Sequence, residues 1–280
     1  MENILIITGS LMNKRNRPIG VFDSGIGGLT VLKEIIKEMP DESTIYLGDT
    51  ARVPYGIRSP EIVTRYSLEN TKFLFSKDIK ILVVACNTAS SISLDAIKNS
   101  VSIPVIGVIE PGAKAAVRAT SNKKIGVIGT EATVKSNSYT KAIKGIDRSI
   151  EVFSCSCPLF VPLVEEGWTE GEIASLTAKR YLDGLKGKGI DTLVLGCTHY
   201  PLLKKVIARV MGKGIRLIDS AVEISHEIKT ILNVNNLNRE QKGATLREFY
   251  ATDSPERFLK VCENFLGQKI GHIEKIAVGS

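Results

Sequence analysis

Long hydrophobic runs are missing from this sequence. Although 43% of the 280 residues are hydrophobic, the apolar runs have the length of a β-strand, well short of the roughly 20 residues of a membrane-spanning helix. Residues 1–11 have neither the basic start nor the length of a signal peptide. We therefore expect a globular, cytoplasmic protein with a substantial core and no membrane partner. Because residues 12–17 are typical of a polar N-terminus, residues 1–11 are predicted to be an added or upstream extension.

Cysteine and histidine are also scarce. The five cysteines are odd in number and, without an export signal, are expected to stay reduced. One residue separates Cys155 from Cys157, whereas redox motifs and zinc knuckles have two, and only three histidines are available to complete a metal site. The sequence therefore predicts no metal, and Cys155, Cys157 and Cys262 are interpreted as structural.

The formal net charge of +7 raises the possibility of a nucleic-acid partner. The lysines, however, are spread over helical faces beside acidic residues, as in Lys33-Glu34 and Lys37-Glu38. This distribution favours a solvated surface with some attraction for anions over a nucleic-acid interface.

Two stretches of the chain share one pattern. Residues 81–90 and 191–201 each begin with an apolar run typical of a buried parallel strand and continue into a helical pattern. Ligands of open α/β sheets bind at this end of the strands. The residues at the two turns are Cys86-Asn87-Thr88 and Cys197-Thr198-His199.

The two cysteine units belong to a longer internal repeat. Residues 124–130 resemble residues 18–24, and the strand after each cysteine follows at nearly the same distance. Alternating strands and helices predict parallel sheets. We therefore expect an α/β fold with two similar three-layer parallel-sheet domains. They would be duplicated flavodoxin-like units related by a pseudo-twofold axis, with the active site in the cleft between them.

The end of the chain has no partner in the second repeat. We expect it to complete the first domain, which would then be discontinuous. The predicted boundaries are 1–111 plus 223–280 for the first domain, with residues 1–17 as an extension, and 112–222 for the second.

Two symmetry-related thiols suggest proton transfer on opposite faces of one small ligand. A free thiol with a pKa of about 8.5 is partly ionised at neutral pH, and a helix N-terminus or a nearby cation increases that fraction. A single nucleophilic cysteine with His199 as its base is the simpler alternative. With two thiols, one could remove a proton from a carbon while the other returns one to the opposite face.

The polar residues near the predicted turns suit an amino acid as the ligand. Asp23 and Asp49, each at the end of a strand, could contact an ammonium group. Hydroxyl and amide groups could contact carboxylates, and they belong to Ser24, Asn87, Thr88 and Thr198. No lysine lies at a strand end where it could hold pyridoxal phosphate, so no cofactor is predicted and a carbanion would be stabilised by electrostatics in a closed site.

Five motifs in order, FDSGIGGLTV, GDTARVPYG, VACNTAS, PLFVPLVEEG and LGCTHYP, make residues 18–225 resemble the glutamate racemases of the cofactor-independent aspartate/glutamate racemase family. The resemblance implies that the chain supplies D-glutamate for peptidoglycan, with Cys86 and Cys197 as opposed acid and base. It implies auxiliary acid/base roles for Asp23, His199 and Glu165, the last chosen over its neighbour Glu166. The substrate contacts that it implies are Asp23, Ser24, Tyr55, Gly56, Asn87, Thr88, Thr198 and His199. We also expect a homodimer.

Other functions remain open at this point. An aspartate or hydantoin racemase would share the two-cysteine plan, although CNTAS at residues 86–90 favours glutamate over the CNTAH typical of aspartate racemases. A non-catalytic protein with the same fold would not need both thiols. Some glutamate racemases inhibit DNA gyrase, which makes a gyrase or nucleic-acid contact a possible but unsupported second role. A dinucleotide site at residues 25–28 is a poor alternative because the third glycine is replaced by Thr30.

Overall fold

The computed structural model describes residues 14–240, 243–267, 269–270 and 272–279. Its first sheet is parallel and has the strand order β10-β9-β2-β1-β3-β4. The strands of this sheet are β1 (Ile19–Asp23), β2 (Thr44–Gly48), β3 (Ile81–Val84), β4 (Val105–Gly107), β9 (Arg247–Ala251) and β10 (Glu274–Lys275). The second sheet is also parallel and has the order β6-β5-β7-β8. It consists of β5 (Lys124–Gly129), β6 (Glu151–Ser156), β7 (Thr192–Gly196) and β8 (Arg216–Asp219).

The helices lie mostly between consecutive strands. In the first part of the chain they are α1 (Leu29–Glu38), α2 (Pro60–Ser76), α3 (Asn87–Ile92), α4 (Leu94–Ser100) and α5 (Ile109–Ala119). The next are α6 (Glu131–Lys135), α7 (Ser138–Ile146), α8 (Phe160–Glu165), α9 (Gly171–Lys186) and α10 (Lys204–Met211), followed by α11 (Ser220–Val234) and α12 (Pro255–Leu266). Short 3-10 turns cover Tyr55–Ile57 and Tyr200–Leu203.

The strand order of the second sheet repeats that of four strands in the first. β1 lies between β2 and β3, and β4 lies beyond β3; in the same way β5 lies between β6 and β7, and β8 lies beyond β7. The two cysteine strands, β3 and β7, therefore occupy corresponding positions. The predicted α/β fold with parallel strands in two similar sets is confirmed.

Each sheet has a hydrophobic core on both of its faces. Along β3, Ile81 and Val83 pack into one core with α1 and α11, whereas Leu82 and Val84 pack into another with α2. The second sheet divides in the same way, with a core under α5 and α7 on one face and a core under α9 and α10 on the other. Strands covered on both faces need apolar residues at every position, which explains why β3 and β7 are almost uniformly aliphatic.

The end of the chain returns to the first sheet, where β9 pairs with β2 and β10 pairs with β9. Helix α11 packs against both α1 and α5. The domain boundaries themselves stay a prediction. Two strands of this sheet are short: β4 ends at Gly107 because α5 already begins at Ile109, and β10 has only two residues. The predicted extension at residues 1–11 lies outside the described residues.

Among the described residues, none of the helices has both the length and the apolar character needed to cross a bilayer.

Candidate active site

Cys86 lies at the turn between β3 and α3. The backbone N–H of Ala89 donates a hydrogen bond to its Sγ at 3.5 Å, so the thiol caps the helix. The Sγ also contacts the hydroxyl of Ser24 at 3.4 Å, which brings the end of β1 to the same turn. Burial, followed by the nearby Asp23 carboxylate, raises the pKa of Cys86 to about 12 against the two hydrogen bonds. The thiol is therefore protonated at neutral pH.

Cys197 lies at the equivalent turn after β7, and it has a different neighbour. The Nδ1 atom of His199 is 3.8 Å from its Sγ. On the other side of the imidazole ring, Nε2 lies 3.4 Å from Oε1 of Glu165. Burial lowers the pKa of His199, but the interactions with Cys197 and Glu165 outweigh it and raise the pKa to about 10. The imidazole is thus held as a cation between the Cys197 sulfur and the Glu165 carboxylate.

Asp23 joins the two halves of the site. It is fully buried, and its Oδ2 accepts a hydrogen bond of 3.0 Å from the backbone N–H of Gly25. Its Oδ1 lies 3.4 Å from the Thr198 hydroxyl, which comes from the other sheet. Burial raises the pKa of Asp23, with His199 acting in the opposite direction. The close approach needs glycine at position 27, where a Cβ would lie 2.3 Å from the Thr198 hydroxyl.

A small cavity separates the two cysteines. Its volume is about 30 Å³, so the space between the cysteines is narrow. The cavity is lined by Ser24, Val53, Pro54, Tyr55, Gly56, Cys86, Asn87, Thr88, Thr130, Val161, Glu165, Cys197, Thr198 and His199.

Most of the predicted site residues line this cavity; Asp23 is not among its lining residues, and neither is Asp49. Its carboxylate accepts hydrogen bonds from Arg52 at 2.8 and 3.0 Å, from Thr252 at 3.0 Å, from Asn70 at 3.3 Å and from the Tyr55 hydroxyl. Asp49 therefore lies behind Tyr55 as a buried acceptor. The geometry corrects the prediction that Asp49 could contact a substrate ammonium.

The two candidate glutamates of the PLVEEG motif point to different places. Glu165 lines the cavity and contacts His199, whereas Glu166 lines a separate apolar groove with Trp168 and Ile173. Their geometry favours Glu165 for an auxiliary role.

Thr130 lines the cavity although it was not among the predicted site residues. Its hydroxyl lies 3.0 Å from the hydroxyl of Thr88 and 3.0 Å from that of Thr133. The signal was present in the internal repeat, because Thr130 follows β5 as Ser24 follows β1. Gly56 permits the contact, since a Cβ there would lie 2.6 Å from Cβ of Thr130.

Two thiols at corresponding strand ends, buried on the border of one cavity between two parallel sheets, define an α/β protein of the two-cysteine racemase class. The profile of the Asp/Glu/Hydantoin racemase family matches residues 19–226, and the chain belongs to that family.

Its relatives include glutamate racemases. One from Geobacter metallireducens is 55% identical over 262 residues, covering 94% of this chain and 97% of that protein. Among solved structures, the glutamate racemase of Francisella tularensis in complex with D-glutamate has a TM-score of 0.89 and 40% identity, covering 94% of this chain and 98% of that one. The Escherichia coli glutamate racemase in complex with L-glutamate and the activator UDP-MurNAc-ala has a TM-score of 0.79 and 30% identity, covering 94% and 100%.

Proposed function

We propose that the protein interconverts L- and D-glutamate by a cofactor-independent mechanism with two cysteine acid/base groups. The observation that carries the proposal is the placement of Cys86 and Cys197 on one buried cavity, each at the end of a corresponding strand. Similarity to glutamate racemases over most of the chain, including relatives solved with D-glutamate and with L-glutamate, supports glutamate as the substrate.

In the proposed reaction, one cysteine as thiolate takes the Cα proton, and the thiol of the other donates its proton to the opposite face. The product is the enantiomer, and the two cysteines have exchanged protonation states. Family resemblance assigns Cys197 to L-glutamate and Cys86 to D-glutamate. The cationic His199 lies beside Cys197, whereas burial holds Cys86 as a thiol.

The carbanion between these two steps needs a dry site with fixed donors. The small cavity supplies the exclusion of water, and its lining supplies the donors: the hydroxyls of Ser24, Thr88, Thr130 and Thr198 and the amide of Asn87. Asp23 and Glu165 are proposed as auxiliary groups, acting on Cys86 and on His199 respectively.

Aspartate is the second candidate substrate, because the family includes aspartate racemases. The motif CNTAS favours glutamate, and assaying both amino acids decides between them. The supply of D-glutamate for peptidoglycan, a cytoplasmic location, the homodimer and the division into domains 1–111 plus 223–280 and 112–222 stay predictions.

The test is direct. Purified protein is incubated with L-glutamate without pyridoxal phosphate, and the loss of optical rotation is followed. Activity should persist after treatment with EDTA and hydroxylamine, and it should be lost in Cys86→Ser and Cys197→Ser. The control Cys262→Ser should keep it, because Cys262 is buried in the core of the first sheet and does not line the cavity. Absence of racemisation in the wild-type protein, or its loss on treatment with either reagent, overturns the proposal.

A further inference from the structure

Tyr139 is a buried residue of α7 that none of the predicted functional roles uses. Its side chain is 2% exposed, and its hydroxyl donates a hydrogen bond of 2.8 Å to Oδ1 of Asn87. Asn87 directly follows Cys86 and begins α3, beside the first sheet. The bond therefore crosses from an element of the second sheet to the turn that carries a cysteine of the first.

The ring of Tyr139 is also fixed beside the other cysteine. A Cβ at Gly196, the residue before Cys197, would lie 3.0 Å from Cε2 of the ring. A Cβ at Gly112 would lie 3.3 Å from both Cε1 and the hydroxyl oxygen. Two glycines thus leave just enough room for this ring, which contacts the chain next to both cysteines.

The hydrogen bond between the phenol and Asn87 has a defined direction. Burial raises the pKa of Tyr139, with Ser220 acting in the opposite sense, so the phenol stays protonated at neutral pH. Its proton is donated to Asn87 Oδ1. A reversed Asn87 amide would present its N–H groups to the phenol, which could then no longer donate its proton to that side chain.

This direction decides which end of the Asn87 amide is available to a ligand. Asn87 lines the cavity and is 2% exposed. Its Nδ2 is buried and has no hydrogen-bond partner among the described residues. A buried amide donor without a partner is costly, and a carboxylate oxygen would satisfy it.

We propose that Tyr139 is a positioning residue, which holds the Asn87 amide with its oxygen toward the phenol so that its Nδ2 can bind a substrate carboxylate. The inference rests on the proposed glutamate racemase function. Tyr139 itself stays behind Asn87 and acts only through it.

Tyr139→Phe tests the role, because it keeps the ring and removes the donor. Once the amide can reverse, its oxygen competes for the position facing the carboxylate. The hydrogen bond from Asn87 Nδ2 to the charged carboxylate would then be weakened, and bonds of this kind contribute substantially to binding. KM for glutamate should therefore rise about tenfold in Tyr139→Phe, with little change in kcat. Tyr250→Phe is the matched control: it removes the hydroxyl of a largely buried tyrosine that bonds Glu248, away from the cavity. Equal kinetics in the two variants overturns the inference.

A double-mutant cycle separates positioning from a general effect on packing. Asn87→Ala should raise KM at least as much as Tyr139→Phe, and adding Tyr139→Phe to it should change nothing further, because the group that the phenol orients is gone. Effects that multiply overturn the inference.

A measurement on the wild-type protein does not depend on how Tyr139→Phe folds. With ¹⁵N-asparagine labelling, and Asn87→Ala for assignment, the Asn87 side-chain amide should shift when D-glutamate binds. No shift at saturating D-glutamate overturns the inference. If the wild-type protein shows no glutamate racemisation at all, the proposed function itself has failed, which distinguishes the two outcomes.

Discussion

Replacing His199 with asparagine removes the cation beside Cys197 and keeps a neutral polar side chain. Two unit charges 3.8 Å apart, in an effective dielectric of about 20, interact with about 4 kcal/mol. Part of this is offset because the neutral side chain avoids the cost of burying an imidazolium. A net loss of about 2 to 3 kcal/mol from the transition state corresponds to roughly a hundredfold fall in kcat/KM.

The assay is racemisation followed by circular dichroism from each enantiomer. Because enantiomers have equal free energy, kcat/KM must fall by the same factor in both directions, which checks the data internally. His226→Asn is the matched control: the Nε2 atom of His226 lies 3.8 Å from the carboxylate of Glu38, but the side chain is exposed. It should leave the rate unchanged.

The pH profile gives a second measure of the same change. With a His199 pKa raised to about 10, the wild-type enzyme should keep the His199 cation below that pH and lose activity above it. His199→Asn should lack this alkaline limb. If His199→Asn retains more than about a third of the wild-type kcat/KM, the cation contributes under about 1 kcal/mol and the reasoning is wrong.

Three further predictions concern the cysteines, the buried acceptor behind the cavity and the pH dependence of stability. Cys86→Ser should lose racemisation but still eliminate a β-leaving group from an L-substrate, and Cys197→Ser from a D-substrate, as measured by keto-acid release; elimination from the same enantiomer by both would contradict the two-face assignment. Thr252→Val leaves the buried Asp49 carboxylate without one donor, so the free energy of unfolding should fall by about 1–3 kcal/mol in urea titrations, and an unchanged midpoint would refute this. Folded-state pKa values are raised for His199, to about 10, and for Cys86, to about 12. The stability from each is complete below its unfolded pKa, near 6.5 for histidine and 8.5 for cysteine, and is lost as pH rises through the folded value. The thermal midpoint should therefore fall steadily from about pH 7 to 11, and a rise over that range would contradict the sign.

The sequence was sufficient to predict the sheets and the two cysteine turns. Strands buried on both faces are uniformly apolar, so β3 and β7 can be recognised in the sequence. The similar segments before and after these two strands indicate the internal repeat. Parallel strands end at the same edge of a sheet, which is why Ser24 and Cys86, far apart in sequence, could be expected to meet.

What the sequence could not predict depends on contacts between distant segments. Asp49 follows the end of β2, but its carboxylate is bound by Thr252, which follows β9, and by Asn70 from α2. No local sequence pattern indicates these contacts. Tyr139 has the spacing of an ordinary core residue on an amphipathic helix. Only the contact between its hydroxyl and Asn87 distinguishes Tyr139 from an ordinary core residue.

Hydroxyls that border the cavity form hydrogen bonds across the boundary between the two sheets: that of Thr88 bonds to the hydroxyl of Thr130, and that of Thr198 donates to the carboxylate of Asp23. Under the proposed function, a carboxylate can enter only by exchanging these internal bonds for its own. Because each exchange replaces one hydrogen bond with a similar one, its net free energy is small. We therefore expect weak substrate binding, caused by the same contacts that keep the cavity closed. An enzyme organised in this way releases its product about as readily as it admits its substrate, which suits a reaction whose two directions are equally favourable.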